Sequence, residues 1–295
     1  MVKFWITLLV ALAGTPLRAQ QLSMSLGVYT GFTSSFTLDD GINQDARYKE
    51  SYGLKFAPIG FNFGMDYEGF GFVVSPGIIN LGQDFYVVNT VGGQDGKRYI
   101  DLQYAHIPVA FKVHIINLSF FKLSGLVSLG AAYLVHGEEM VRHTESKLKF
   151  PQEVYPILPP DYIVQYDGVV VPLVDEYIIG EKKDFNSFQV FAAAGFRSDW
   201  DVSNHWRVSF DFRMNYGINE PRTADYLAKL NAYQTLYDIP GKRRELFAQI
   251  TFGISRYVDF EKSDREREKR LKGNSKRYQP MHSPGTKTRN TKPKG

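Results

Sequence analysis

The sequence has no cysteine among its 295 residues. Disulfide bonds are therefore excluded, and so is a lipid anchor on an amino-terminal cysteine, which means that other interactions have to stabilise the fold. Long hydrophobic runs are also missing. Beyond the first twenty residues no stretch of 18 apolar residues occurs, so no membrane-spanning helix is predicted. Glycine and aromatic residues are abundant instead, with 26 Gly and 15% aromatic residues, a combination that favours strands and turns.

The first twenty residues have the layout of a secretory signal peptide. Lys3 precedes an apolar run over residues 4–13, which is too short to cross a membrane, and helix-breaking Gly and Pro residues follow it. Ala19 suits the cleavage position. We therefore predict a signal peptide over residues 1–19.

Two sets of side chains alternate in the stretch YAHIPVAFKVHI, residues 104–115. One set is entirely apolar, whereas the other contains three groups that prefer water or a polar partner. The apolar set comprises Ala105, Ile107, Val109, Phe111, Val113 and Ile115, and the three polar groups are His106, Lys112 and His114. Alternation with a period of two is typical of a β-strand.

Seven further stretches alternate in the same way, which predicts eight strands in total. They cover residues 22–32, 53–64, 70–79, 104–115, 120–135, 188–196, 206–218 and 246–260. Most are longer than the five or six residues usual in soluble sheets. Short turns such as DYEG and IIN alternate strictly with connections of about 18 to 50 residues, a rhythm typical of transmembrane β-barrels.

These observations predict an all-β fold: an eight-stranded antiparallel up-and-down transmembrane β-barrel over residues 20–260, with long extracellular loops and both termini in the periplasm. The apolar side chains would face outer-membrane lipid and the polar ones the lumen. A soluble lipocalin-like barrel would have the opposite orientation. Strand length, loop rhythm and the aromatic residues Trp206, Tyr216 and Tyr257 near strand ends favour the membrane barrel.

The stretch over residues 104–115 also resembles a sequence signature of the PorT-like outer-membrane β-barrel family, which is common in Bacteroidota. Tyr104, Ile107, Pro108 and Lys112 match the signature. The resemblance implies an integral barrel in the outer membrane of a Gram-negative cell. It also implies a structural or assembly role, which in some members is linked to protein secretion.

Six charged or polar side chains are predicted to form a cluster in the lumen. They are His106, Lys112, His114, Arg207, Asp211 and Arg213. Two interpretations are open: a selectivity ring in a small-solute pore, or a salt-bridge network that fills a narrow lumen. Pro108 cannot donate a ladder hydrogen bond, so we expect a local bulge at this position.

The strongest candidate for catalysis is the stretch HGEEMVRH, which contains His136, Glu138, Glu139 and His143. Its spacing differs from the HExxH zinc motif, and no nucleophile accompanies it. We therefore predict no catalytic residue, no metal ligand and no cofactor. The protein is expected to be non-enzymatic, and an outer-membrane hydrolase is the less favoured alternative.

Three further segments are candidates for interaction. Within the connection over residues 137–187, short strands are expected at Tyr162–Tyr166 and Val169–Ile179, and a helix is expected in the stretch YLAKLNAYQTLY, residues 226–237. Residues 261–295 contain twelve Lys and Arg but four Asp and Glu, which predicts a disordered basic tail. A periplasmic tail would meet a periplasmic protein or the cell wall, but no nucleic acid.

Overall fold

The computed structural model describes residues 22–88, 93–118, 120–143, 150–151, 162–166, 169–172, 176–203 and 205–259. The predicted signal peptide over residues 1–19 and the predicted basic tail over residues 261–295 lie outside the described residues.

Strands make up most of the described chain. They are β1 (Ser23–Asp39), β2 (Tyr48–Ser51), β3 (Lys55–Asp66), β4 (Phe70–Val74), β5 (Gly77–Leu81), β6 (Asp84–Val88), β7 (Gln94–Asn117), β8 (Phe121–His143), β9 (Phe150–Pro151), β10 (Tyr162–Tyr166), β11 (Val169–Pro172), β12 (Glu176–Glu181), β13 (Phe188–Asp201), β14 (Trp206–Gly217) and β15 (Arg243–Asp259). The helices are α1 (Asp40–Gln44), α2 (Ala224–Asn231) and a 3-10 turn at Lys182–Asp184. Among the described residues, neither helix has the length and apolar character that a membrane span requires.

Antiparallel pairing joins the long strands into a closed ring. Strand β1 pairs with β15 and β3, while β7 pairs with β8 and with the two shorter strands β4 and β5. The ring is completed through β8, β13, β14 and β15. If paired residues are followed from strand to strand around the ring, starting at Ser35 of β1, the path returns to β1 at Ser25. This stagger means that the strands are strongly tilted relative to the barrel axis, as barrel closure requires.

The sheet has twelve strands, so the expected count of eight is not confirmed. The segment expected as one strand over residues 70–79 is divided into β4 and β5, and both pieces pair with β3 and β7. Strands β2, β6 and β12 extend the sheet at one end. A separate sheet contains β9, β10 and β11, so the strand expected at 162–166 is present. The strand expected over 169–179 corresponds to two described strands in different sheets, β11 in the separate sheet and β12 in the twelve-stranded one.

The two ends of the barrel differ. The end where Ser23 and Asp259 lie has the short connections and is called the terminal end here; the opposite end has the long connections and is called the loop end. Exposed aromatic side chains lie on the outer face of the wall near both ends, on the neighbouring strands β8, β13 and β14 and the turn before β8. They are Trp200, Trp206 and Phe120 near the terminal end, and Tyr133, Phe188 and Tyr216 near the loop end. These two girdles bound the membrane-spanning part of the ring.

Apolar side chains point outward between the girdles. In β7, Ile107 is 53% exposed and Ile115 is 62% exposed, whereas Lys112, on the opposite face, is 1% exposed. Tyr104, at the start of the family signature, is buried on the inner face. This orientation is that of a membrane barrel and not of a lipocalin-like barrel, because a lipid-facing wall needs no polar outer surface.

A hydrophobic core fills the loop end of the barrel and is covered by a cap over residues 219–242. Helix α2 begins where the Thr223 side chain accepts a hydrogen bond from the Tyr226 amide, at 3.2 Å. It buries Tyr226 and Leu230 against the core and ends at Asn231, so only part of the helix expected over residues 226–237 forms. The cap therefore closes the loop end with packed side chains.

The expectation of a bulge at Pro108 is wrong. Pro108 pairs with Gly130 in the regular register between β7 and β8, and the register shifts lie elsewhere. On its other side Pro108 faces the break between β4 and β5, where its carbonyl accepts a hydrogen bond from the Ser75 amide at 3.1 Å. In an antiparallel sheet the N–H and C=O groups of one residue point toward the same adjacent strand. The N–H that Pro108 lacks would therefore point toward β4 and β5, at the place where that adjacent strand is interrupted.

Candidate functional site: the barrel interior

The terminal half of the lumen contains a network of ion pairs, called the terminal-end network here. It consists of Asp66, Lys112, Arg197, Asp199, Asp201, Arg207, Asp211 and Arg213. At its centre the Asp66 carboxylate forms ion pairs with both the Lys112 ammonium and the Arg207 guanidinium, each at 2.6 Å. Strands β3, β7 and β14 supply these three groups, so the network ties distant parts of the wall together.

The network alternates in charge across the lumen. Arg207 contacts Asp201 at 2.7 Å, Lys112 contacts Asp199 at 3.3 Å, and Arg213 contacts Asp211 at 2.6 Å. Arg197 links Asp199 and Asp211, at 2.9 and 3.5 Å. Its four cations face four carboxylates, so the charges of the network balance.

Four of the six predicted lumen residues belong to this network, namely Lys112, Arg207, Asp211 and Arg213. His114 lies beside it, with Nδ1 2.8 Å from the Ser124 hydroxyl and Nε2 3.9 Å from Asp66. His106 is separate: its ring lies edge-on to Phe191 at 5.6 Å in the middle of the lumen. A Cβ at Gly130 would lie only 2.2 Å from His106 Nε2, so glycine is required beside this ring.

Arg197 and Asp199 are network members that the sequence reasoning missed. The strand expected over residues 188–196 continues to Asp201 in β13. Extending the alternation by five residues would have placed Ser198 and Trp200 outside and Arg197, Asp199 and Asp201 inside. Asp66 was missed for the same reason, because it lies just beyond the strand expected over 53–64.

A second group of buried charges lies at the loop end and is called the loop-end cluster. It consists of Asp39, Arg98, Glu139, Arg222 and Arg243. Arg243 donates to both oxygens of Glu139, at 2.8 and 2.9 Å, and Arg98 Nε donates to Oε1 at 2.8 Å. Asp39 accepts from Arg243 at 2.7 Å and lies 3.3 Å from Arg222. All five side chains are buried.

The loop-end cluster lies beyond the loop-end girdle, since Glu139 follows Tyr133 by six residues on β8. Burial by itself would raise the pKa of Glu139, but the guanidinium groups of Arg243 and Arg98 together hold that pKa well below its usual range. The same balance lowers the pKa of Asp39, where Arg243 and Arg222 outweigh the effect of burial. Both carboxylates are therefore ionised at neutral pH.

The cluster also holds the cap in place. Arg98 of β7 donates to the Tyr237 carbonyl of the cap at 3.1 Å, and Arg222 of the cap lies 3.3 Å from Asp39 of β1. The Tyr226 hydroxyl lies 3.4 Å from Glu139. These contacts join the cap to the barrel wall through buried charged groups, which hydrogen-bond more strongly than neutral ones.

The structure separates the residues of the candidate catalytic stretch HGEEMVRH. The pairing of β7 with β8 shifts register between Gln103 and Tyr104, which changes which side chains of β8 point inward beyond this place. As a result, Glu139 and His143 point inward, whereas His136 and Glu138 lie on the outer face. Glu139 is occupied by two arginines, and His143 Nε2 lies 2.7 Å from the Tyr237 hydroxyl. Within the described ranges, no three His, Asp or Glu side chains converge as metal ligands.

The chain aligns over most of its length with several solved outer-membrane proteins. They include Ail, the attachment invasion locus protein of Yersinia pestis, with 12% identity, a TM-score of 0.32 and coverage of 81% of this chain and 99% of that one. OprG from Pseudomonas aeruginosa has 8% identity, a TM-score of 0.34 and coverage of 81% and 96%. The outer membrane protease OmpT from Escherichia coli has 9% identity, a TM-score of 0.37 and coverage of 83% and 98%.

No curated protein matches the sequence closely enough to count as a relative. The family described as outer membrane protein beta-barrel domain matches residues 18–220, which is more than half of the chain. That match agrees with the closed antiparallel ring and its apolar outer face, and it supports a location in the outer membrane. The chain belongs to the outer membrane protein beta-barrel domain family.

Proposed function

We propose that this protein is a non-enzymatic integral outer-membrane barrel that is closed to solutes and acts as a structural or assembly component. The observation that supports this most directly is the occupied interior. The terminal-end network crosses the lumen with balanced charges, and the hydrophobic core and cap cover the loop end. A solute would have to break buried ion pairs, which costs about 3–5 kcal/mol for each partner removed.

The main alternative is a small-solute porin or a ligand-binding barrel. A selectivity ring needs charged groups that face water, so that a passing ion can exchange its hydration shell with them. Lys112 and Arg207 instead share Asp66 at 2.6 Å and are buried. The geometry therefore favours a structural role for these charges.

An outer-membrane hydrolase is a weaker alternative. Catalysis needs a base and a reacting group within hydrogen-bond reach of each other. His136 and Glu138 lie on the opposite face of β8 from Glu139 and His143, and two guanidinium groups hold Glu139 ionised. This arrangement supports the non-enzymatic role.

The proposal also covers the orientation of the barrel in the membrane, its binding partners and its relationship to other barrel proteins. We infer that the loop end faces the exterior and that both termini are periplasmic, as the short terminal-end turns suggest. Besides outer-membrane lipid, the basic residues 261–295 would bind a periplasmic protein or the cell wall, and not nucleic acid. A relationship to PorT-like proteins of Bacteroidota and to secretion remains part of this proposal.

Conductance measurements in planar lipid bilayers test the closed lumen. The folded full-length protein is inserted, and an open porin in the same membrane confirms that insertion events are detected. We expect no reproducible conductance steps from this protein. Stable steps that change in size or ion selectivity in Arg207→Ala or Arg213→Ala would establish a pore lined by these residues and disprove the proposal.

A further inference from the structure

A polar hollow lies on the outer face of the wall, just beyond the loop-end girdle. Its volume is about 390 Å³, and it is lined by Lys55, Asp84, Tyr99, Asp101, Glu138, Met140 and Arg142. Strands β3, β6, β7 and β8 supply these residues. The hollow is thus directed sideways, at the height where lipid headgroups meet the barrel.

The carboxylates of the hollow include hydrogen-bond acceptors that the protein leaves open. Its two cations are already paired, because Lys55 contacts Asp101 at 3.1 Å and Arg142 contacts Glu176 at 2.6 Å. Asp84 has no hydrogen bond or ion pair with any described residue, although it is about half-buried. Among the described residues, the Glu138 carboxylate has one ion-pair contact, to His136 at 3.8 Å.

An apolar groove of about 880 Å³ lies on the same wall, within the membrane-spanning part. The residues that line it include Val28, Thr30, Ile59, Phe61, Ile78 and Phe252. Thr30 is smaller than its outward-facing neighbours, and it pairs with Ile59 on one side and Phe252 on the other. The side chains on either side of Thr30 therefore leave a depression that faces acyl chains.

The groove and the hollow share strand β3. Ile59 lines the groove and pairs with Thr30, and Lys55 lines the hollow and pairs with Thr33, so the two are three β1 residues apart, roughly 10 Å along a strand. One lipid molecule can span this distance, with its acyl chain in the groove and its headgroup in the hollow.

We propose that this combined surface binds a glycolipid with an uncharged saccharide headgroup. Sugar hydroxyls would donate hydrogen bonds to Asp84 and Glu138, while one acyl chain lies across Thr30. With Glu176, which pairs with Arg142, and Lys97, whose charge acts on Asp84, four carboxylates face three cations in and around the hollow. A phosphate headgroup would therefore meet a net negative charge, whereas a polyol would not. This inference goes beyond the proposed function and does not depend on a closed lumen.

Native mass spectrometry of the full-length protein in non-ionic detergent tests the proposal. The probes are digalactosyl diacylglycerol, phosphatidylglycerol with matched acyl chains, whose headgroup carries a phosphate and no cation, and free digalactose. We expect the glycolipid to be retained about tenfold more than phosphatidylglycerol, which corresponds to about 1.4 kcal/mol. Free digalactose, which lacks the acyl chain, should bind far more weakly.

Variants separate the two halves of the site. Asp84→Ala and Glu138→Ala should each lower glycolipid retention about tenfold without lowering that of phosphatidylglycerol, whereas Thr30→Phe should lower both by filling the groove. Asp225→Ala, an exposed residue of α2, is the matched control. Equal retention of both lipids, or unchanged retention in the Asp84 and Glu138 variants, would overturn the proposal. Free digalactose binding as well as the glycolipid would indicate a soluble-sugar site and overturn it too.

Discussion

Glu139 of β8 and Arg243 of β15 form a two-point ion pair inside the loop end, with N–O distances of 2.8 and 2.9 Å and with both side chains fully buried. The two residues are 104 positions apart in the chain. Arg98 contacts the same carboxylate from β7, so a single acidic group joins three strands of the wall below the cap.

Removal of the Glu139 charge should destabilise the barrel strongly. Glu139→Gln leaves Arg98 and Arg243 buried without their carboxylate, and a loss of about 3 kcal/mol or more in unfolding free energy is expected. Glu138→Gln, one residue away on the outer face, is the matched control and should change stability by less than about 0.5 kcal/mol. Urea unfolding in lipid vesicles measures both; equal effects would refute a special role for the cluster.

The same pair predicts a pH dependence. The pKa of Glu139 is lowered in the folded protein, so its contribution to stability is complete above the usual value of 4.5 and is lost as the pH falls below it toward the folded pKa. The stability difference between wild type and Glu139→Gln should therefore be constant from pH 7 to about pH 5 and should shrink at lower pH. A difference that does not depend on pH down to pH 3 would contradict an ionised Glu139.

Alanine substitutions of two tyrosines of the cap should change the stability of the barrel by very different amounts. Tyr226 is buried against Phe185 and the core, so Tyr226→Ala should cost about 3–5 kcal/mol through the cavity it leaves. Tyr233 is 68% exposed, and Tyr233→Ala should have little effect. Thermal unfolding followed by heat-dependent gel mobility compares them, and similar midpoints would show that the cap does not pack on the barrel as described.

A charge on the lipid-facing wall should be costly only between the girdles. Val127 lies on the outer face of β8 at 58% exposure, and Val127→Arg is expected to destabilise the folded barrel by about 2–4 kcal/mol in vesicles. His136→Arg on the same strand lies beyond the loop-end girdle and should be nearly neutral. If Val127→Arg proves as harmless as His136→Arg, this face does not contact acyl chains.

The basic tail provides a test of the cell-wall partner. Residues 261–295 contain twelve Lys and Arg against four Asp and Glu, so binding to the anionic cell wall should be electrostatic and weaken with salt. We expect full-length protein in detergent to sediment with purified peptidoglycan at low ionic strength, and a variant that ends at residue 260 to remain in solution. Equal sedimentation of both forms would exclude the tail as the binding segment.

Much of the wall could be predicted because alternation is a local property. In β14, Phe210 and Asp211 point to opposite faces whatever the rest of the chain does, since successive side chains of a strand always do so. The strand ends were less accurate at the loop end. Strands β7 and β8 continue well beyond the predicted limits because the core and the cap bury side chains there as well.

The sequence by itself determined that long alternating strands, short turns and an apolar face would form an outer-membrane barrel. Only the tertiary structure decided which charges meet, because pairing partners such as Asp66 and Arg207 depend on the stagger with which the ring closes. It also decided which side chains of β8 point inward beyond His136, and it decided the interruption between β4 and β5 opposite Pro108. A periodic pattern specifies the direction of each side chain, but its neighbour across the lumen is set by the geometry of the whole ring.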